Sequence, residues 1–131
     1  MVPSGGIRLF DGMYEGLGNV LDLVQLRHQI GAANLANVNT PGYLAKEVPF
    51  KDLLDEVMGG GQRGEVVDVS GRVSDSVTEL AAPDYAIDGN SVDLEREAGR
   101  LEENKVMFEA IVGGLSRRLA MLRFSASDGK G

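Results

Sequence analysis

A chain of 131 residues, with 43% apolar side chains and no tryptophan, has room for one domain with a thin aliphatic core. The absence of cysteine excludes a disulfide framework and a thiolate metal site. The net charge of −7 argues against a nucleic-acid partner, because neutralising phosphates requires a basic surface.

The N-terminal part predicts a tail over residues 1–10 and a long helix over residues 11–39. Asp11 is a plausible N-cap for this helix. Up to Phe10 no basic segment precedes an apolar one, so no cleaved secretory signal is predicted, and no apolar run is long enough to span a membrane. Side chains spaced by four and three along the helix form one stripe: Tyr14, Leu17, Leu21, Val24, His28, Gly31, Leu35 and Val38.

The segment that follows ends this helix with specific turn chemistry. Asn37 and Asn39 tolerate turn conformations, and a proline after Thr40 disfavours helical geometry at that residue. Pro41-Gly42 favours a type II turn. We therefore predict a fixed turn that acts in assembly, formed by Asn34, Asn37, Thr40, Pro41, Gly42 and Tyr43.

Residues 40–90 are predicted to comprise this turn and an extended, loop-rich, acidic middle segment. Residues 51–90 alone carry nine acidic and three basic side chains. A short helix is expected over residues 49–58, ending at the glycines of residues 59–61. Residues 65–70 and 72–78 are prone to form short strands. We expect neighbouring molecules to order such a segment.

A second long helix is predicted over residues 91–124, with Ser91 or Asp93 as its cap and a flexible tail over residues 125–131. Gly113-Gly114 lies inside it, and the pattern leaves open whether a neighbouring helix approaches there or the helix simply tolerates both glycines. The apolar stripe, interrupted only by Lys105, contains Leu94, Ala98, Leu101, Phe108, Val112, Leu115, Leu119 and Leu122.

No catalytic, cofactor or metal site is predicted. Gly59, Gly61 and Gly64 satisfy the spacing of a dinucleotide-binding loop, but a helix precedes them where that motif needs a strand. His28 is the single histidine, and its place in an apolar stripe favours packing over catalysis. We therefore predict a protein that is not an enzyme.

The predicted fold is mainly α, with two long amphipathic helices that pair in a coiled-coil-like layer around a loop-rich middle containing a short helix and short strands. Helices of roughly 40 and 50 Å are too long for a compact domain of this size, so other subunits should cover their stripes. The interface residues predicted on the helices are Leu17, Leu21, Val24, Leu101, Phe108, Val112, Leu115 and Leu119.

The run from Ala33 to Tyr43 closely resembles the ANxxANxxTPGY-type signature near the N-terminus of bacterial flagellar rod, hook and hook-associated proteins. Residues 89–95, with Glu97, Leu101, Asn104, Phe108 and Leu115, are similar to the last helix of a proximal-rod branch of that family. The Ala-Gln-Arg-Ala-Tyr-Glu-Ala-Asn-like stretch of other members is absent. The resemblance covers about residues 10–55 and 85–124.

This resemblance implies a structural subunit of the proximal rod of the flagellar basal body, which polymerises helically and carries torque from the membrane ring to the hook. It implies export through the flagellar type III gate without a cleaved signal, and a location in the periplasmic rod. The implied partners are further copies of the chain, other rod subunits, the rod-base adaptor and the membrane ring protein. Another rod-family subunit, or a soluble helical adaptor or export chaperone, would show similar stripes.

Overall fold

The computed structural model describes residues 4–63 and 67–128, with side chains described for residues 14–59 and 67–127. It confirms a mainly helical fold in which two long helices enclose a shorter middle part. The elements in chain order are α1 (Ser4–Ala36), β1 (Lys46–Glu47), α2 (Phe50–Arg63), α3 (Val69–Ser76), β2 (Thr78–Glu79) and α4 (Leu94–Asp128).

Helices α1 and α4 pack against each other in antiparallel orientation. Asn34, near the end of α1, contacts Glu97 near the start of α4, while Arg27, two turns earlier, contacts Asn104. Residue numbers therefore fall along one helix as they rise along the other. The predicted pairing of the two long helices is confirmed.

The hydrophobic core lies between α1 and the layer formed by α2 and α3. In α2, Leu53 and Val57 are one turn apart and both buried, and Val69 and Val73 repeat that spacing in α3. Strands β1 and β2 flank this layer in sequence and pair in antiparallel register, with Lys46 opposite Glu79. The buried cluster comprises Val20, Leu23, Val24, Val48, Leu53, Val57, Val69 and Val73.

The middle segment is more helical than its sequence predicts. Helix α2 does not end at residues 59–61 but continues to Arg63, although three successive glycines together cost a helix about 3 kcal/mol relative to alanine. Helix α3 occupies Val69–Ser76, most of the described part of the two β-prone pieces, and Asp68 accepts a hydrogen bond from the Gly71 backbone N–H as its N-cap. Residues 65 and 66 of the first piece lie outside the described residues. Packing on α1 thus overrides local strand propensity and orders this segment within its own chain.

Both long helices extend beyond their predicted bounds. Helix α1 begins at Ser4, so Asp11 lies inside it rather than at its N-cap, and the predicted tail is helical from Ser4 onward. Helix α4 begins at Leu94, where the Asp93 carboxylate accepts a hydrogen bond from the Arg96 backbone N–H at 3.1 Å. It continues to Asp128 because residues 125–128 include no proline or glycine. Residues 1–3 and 129–131 of the predicted tails lie outside the described residues.

In the part of the chain that the structure describes, no helix combines the length and the apolarity that a membrane crossing requires.

The position of the core predicts which leucines stabilise the single chain. Leu23→Ala, at a fully buried side chain, should lower the free energy of unfolding by about 2–5 kcal/mol, because it leaves a cavity. Leu119→Ala is the matched control, since that side chain is 45% exposed, and it should change stability by less than about 0.5 kcal/mol. Urea unfolding followed by circular dichroism measures both, and equal losses would contradict the described core.

Candidate assembly site

The Asn34 side chain joins the two long helices to β1. It is 1% exposed, and its Nδ2 donates to the Lys46 carbonyl at 2.8 Å and to Glu97 Oε1 at 3.2 Å. Its Oδ1 accepts from the Lys46 backbone N–H at 2.9 Å and from the Tyr43 hydroxyl at 3.2 Å. The amide thus pairs with both backbone groups of Lys46, as a neighbouring strand would, and its bonding capacity is filled.

The Asn90 side chain closes the C-terminal end of α1. Its Nδ2 donates to the carbonyls of Asn37 and Thr40, both at 2.8 Å, and to that of Val38 at 3.0 Å. Its Oδ1 accepts from the Val92 backbone N–H at 2.7 Å. These carbonyls belong to the turn that directly follows α1, and the two N–H groups of the buried amide are shared among them, which holds the turn against the end of the helix.

Two turns interlock beside these amides. The Tyr43 N–H donates to the Thr40 carbonyl across Pro41-Gly42, and Gly42 has φ +74°, as the predicted type II turn requires. The Gly42 N–H donates to the Asp88 carbonyl at 2.7 Å. Gly89 has φ +70°, and a Cβ there would lie 3.7 Å from the Gly42 Cα. We call residues 34–46 and 88–92 together the turn lock.

An ionic group extends the turn lock along α4. Glu97 is 2% exposed, and its carboxylate accepts from Asn34 and lies 3.6 Å from the Arg100 guanidinium. Glu47 of β1 accepts from Arg96 at 2.9 Å and also from Arg100. The two guanidinium groups and two carboxylates alternate in the order Arg96, Glu47, Arg100, Glu97, so the buried Glu97 carboxylate lies beside a group of opposite charge.

A second polar contact lies two turns further along the helix pair. Asn104 is 2% exposed, and it donates to the Val24 carbonyl at 2.8 Å and accepts from Arg27 at 3.3 Å. Burial lowers the pKa of Arg27, and the nearby Glu103 carboxylate opposes that shift. The Arg27 guanidinium also lies 4.2 Å from the centre of the Phe50 ring, a cation–π contact that ties α2 to the pair.

The two long helices lie close together at Gly31. A Cβ at this position would lie 3.1 Å from Leu101 Cδ2 and 3.5 Å from Glu97 Oε2. The glycine therefore allows α4 to come near the α1 backbone between the Asn34 and Asn104 contacts. A shallow cavity of about 40 Å³ remains beside Gly31. Its lining includes Asn34, Glu97 and Asn104, the same residues that form the polar contacts between the helices.

The predicted stripes flank the contact between the helices. On α4, Glu97, Asn104 and Ile111 face α1 at intervals of seven, and each predicted interface residue Leu101, Phe108 and Leu115 follows one of them by four positions. On α1, Leu17 and Leu21 lie on the flank opposite the core residues Leu23 and Ile30.

In an antiparallel pair of right-handed helices these two flanks lie on the same side of the pair, away from α2 and α3. Phe108 is 44% exposed, Val112 37% and Leu119 45%, and the remaining members are half-buried. We call this surface the free apolar face. Its members are Leu17, Leu21, Leu101, Phe108, Val112, Leu115 and Leu119.

Several predicted roles change with this geometry. Val24 is 2% exposed in the core cluster, so the prediction that it meets a neighbouring subunit is wrong for the described fold. His28 is exposed rather than packed in the stripe. The predicted turn is fixed by its own chain, through Asp88 and Asn90, rather than by a neighbouring helix. Asn37 and Thr40 bond each other at 3.1 Å, and the exposed ring of Pro41 completes the turn.

Sequence reasoning missed the polar side chains of residues 90–104 that form hydrogen bonds with α1 and with the turn that follows it. Asn90 and Ser91 bond the end of α1 and the Ala45 N–H, and Asn104 bonds a carbonyl in the middle of α1. One signal was present: Glu97 and Asn104 are seven residues apart, a spacing that places two polar side chains on one helix face. Within residues 14–59 and 67–127 no group of three metal-ligating side chains comes together.

Known proteins similar to this chain share one description. Flagellar basal body rod protein FlgB of Bacillus subtilis is 28% identical over 130 residues, covering 93% of this chain and 98% of that protein. The FlgB of Escherichia coli K12 is 29% identical over 114 residues, covering 76% and 81%. That of Salmonella typhimurium is 32% identical over 102 residues, covering 68% and 74%. A scan against models of known families gives no match.

The turn lock predicts unequal effects for two neighbouring asparagines. Asn34→Ala removes four hydrogen bonds, two of them to the backbone of Lys46 and one to the buried Glu97, so the free energy of unfolding should fall by about 2–4 kcal/mol. Asn39→Ala changes an exposed side chain and should cost less than about 0.5 kcal/mol. Urea unfolding at pH 7 distinguishes them, and similar values for both would contradict the lock.

Two glycine substitutions should change the stability of the fold in opposite directions. Gly42→Ala places a side chain at φ +74°, which costs about 1–2 kcal/mol although no atom crowds the site. Gly18→Ala, inside α1 and also uncrowded, should raise stability by about 0.5–1 kcal/mol because alanine favours a helix. Thermal unfolding of the two variants measures the signs. A stabilised Gly42→Ala variant would disprove the described turn.

Proposed function

The chain belongs to the FlgB family of flagellar basal body rod proteins, and from this premise we propose that it polymerises helically in the proximal rod. It is a structural subunit of the flagellar basal body rod. We propose, in addition, how this subunit assembles, what it transmits and which molecules it contacts. Family membership supports assembly with other rod components.

The observation that carries the proposal is the free apolar face. In the single chain its large side chains remain in contact with water, while the opposite side of α1 is covered by α2 and α3. Moving such a side chain from full exposure to full burial is worth roughly 1.5–3 kcal/mol. Each member of the face is less than half exposed, so a neighbouring subunit gains less than half of that from each side chain but gains it from several together. Contacts between different surfaces of identical subunits build open helical assemblies when they do not close into a ring.

We propose torque transmission from the way the two long helices are joined. Helices α1 and α4 are held together by the buried Asn34, Glu97 and Asn104 side chains, which resist sliding of one helix along the other. A subunit with two long, fastened helices deforms little under load. That property suits a drive shaft between the membrane ring and the hook.

The remaining proposals rest on family membership. We infer export through the flagellar type III gate without a cleaved signal, and a position in the periplasmic part of the rod. The proposed contacts are the rod-base adaptor, the membrane ring protein, other rod subunits and further copies of this chain. We propose no catalytic activity and no cofactor for it.

Substitutions on the free apolar face should block assembly without unfolding the chain. Phe108→Ser combined with Leu119→Ser removes two exposed apolar side chains, and we expect assembled rods to fall about tenfold or more. The measurement is the number of rods in basal bodies isolated from a strain that lacks its own rod protein and expresses the variant. Urea unfolding should differ from the parent by less than about 1 kcal/mol.

Met58→Ser provides the matched control, because Met58 is 49% exposed on α2, on the other side of the helix pair. This control should assemble rods as the parent does. If it fails while the Phe108 and Leu119 variant assembles normally, the assembly surface lies on the α2 side and the proposed face is wrong. A purified parent chain that forms only a defined small oligomer would favour the adaptor alternative.

A further inference from the structure

The loop before α4 presents two apolar side chains at its tip. Tyr85 is 86% exposed and Ile87 is 104% exposed, the highest values among the large apolar side chains that the structure describes. Two tight hydrogen-bonded turns shape the loop, from the Ala86 N–H to the Pro83 carbonyl and from the Gly89 N–H to the Ala86 carbonyl. Its end is fastened to the turn lock through the Asp88 carbonyl. These turns set the backbone positions of both residues, and the two side chains extend from the loop into water.

This loop is strongly acidic. Residues 73–95 contain no lysine, arginine or histidine, and carboxylates lie on both sides of the apolar pair at Asp84 and Asp88. We call residues 83–88 the acidic loop. It combines apolar side chains with a negative charge, so its complement is an apolar surface bordered by positive charge.

The far end of α4 has that composition. Arg117, Met121 and Phe124 are spaced i, i+4 and i+7, so they share one helix face. Met121 is 70% exposed and Phe124 69%, and Arg117, Arg118 and Arg123 are also exposed. Residues 110–127 contain no acidic side chain. We call the surface formed by Arg117, Arg118, Met121 and Phe124 the basic end.

The basic end is distinct from the surfaces already described. Its face turns away from Ile111, which packs toward the core, and it is not part of the free apolar face. On the same side of α4, Gly113 and Gly114 have no atom within 4 Å of a Cβ position, which leaves space for a close approach. The acidic loop and the basic end are separated by roughly 40 Å along α4, so they do not meet within one chain.

We propose that the acidic loop of one copy docks on the basic end of α4 of the next copy, forming a head-to-tail contact. Tyr85 and Ile87 then pack on Met121 and Phe124, while Asp84 lies near Arg117 or Arg118. The contact joins two different surfaces, so it propagates in one direction. This inference rests on the proposed function and adds a second contact between copies to the one on the free apolar face.

Engineered disulfides test the contact without background, because the chain has no cysteine. Purified Tyr85→Cys and Met121→Cys variants, tagged differently and mixed, should form a mixed disulfide under mild oxidation, at least about fivefold more than a Lys51→Cys and Met121→Cys mixture. Lys51 is exposed on α2 and serves as the matched control. Neither loop nor helix variant alone should link to itself comparably. A yield no greater than the control would overturn the proposal.

Charge exchange tests the electrostatic part of the contact. Arg117→Glu with Arg118→Glu in the Met121→Cys variant should reduce the mixed disulfide about fivefold or more, and Asp84→Arg in the Tyr85→Cys variant should restore part of it. Crosslinking that ignores both charge changes overturns the proposal, as does self-linking of either single variant at the same yield, which would indicate a symmetric dimer.

Failure of this inference and failure of the proposed function are distinguishable. Incorporation of the parent chain into isolated basal bodies tests the function directly and needs no crosslink. If the parent is incorporated but the mixed disulfide does not form, the head-to-tail contact is wrong and the rod assignment stands. If the parent is absent from basal bodies, the proposed function fails whatever the crosslinking shows.

Discussion

The end of α1 depends on two buried asparagine side chains. A helix that stops inside a protein leaves carbonyls without partners, and burying them unpaired costs free energy. Asn90 donates to three carbonyls of the turn that directly follows α1, and Asn34 pairs with both backbone groups of the strand residue that follows this turn. Because these amides come from both halves of the chain, closing the helix end also fixes how α4 meets α1.

Polar contacts set the register of the helix pair in a way that apolar stripes do not. Leucine and valine stripes gain similar free energy when one helix slides past another by a turn. Asn34 with Glu97, and Asn104 with the Val24 carbonyl, are satisfied in one alignment, and a shift would leave each of them buried and unpaired. The close approach at Gly31 lies between them and fits the same alignment.

The features predictable from sequence were those with strong local causes. Pro41-Gly42 fixes its turn through backbone sterics, and stripes of thirty residues indicate helices whatever surrounds them. Helix α3 was not predictable because its valines favour strands locally, and only the apolar side of α1 makes a helix better there. The division of α1 into a core side and a free side also escaped prediction, since Leu21 and Leu23 are only two positions apart.

The pairing of β1 with β2 places Lys46 opposite Glu79. The segment between the two strands therefore begins and ends at neighbouring positions. Residues 48–77 therefore form a module whose two ends are already joined by the surrounding structure. Closing a longer module between these fixed ends costs only about 0.6 kcal/mol for each doubling of its length. A segment of different size and fold can occupy this position, provided that it covers Val20 and Leu23, while the paired helices keep their geometry.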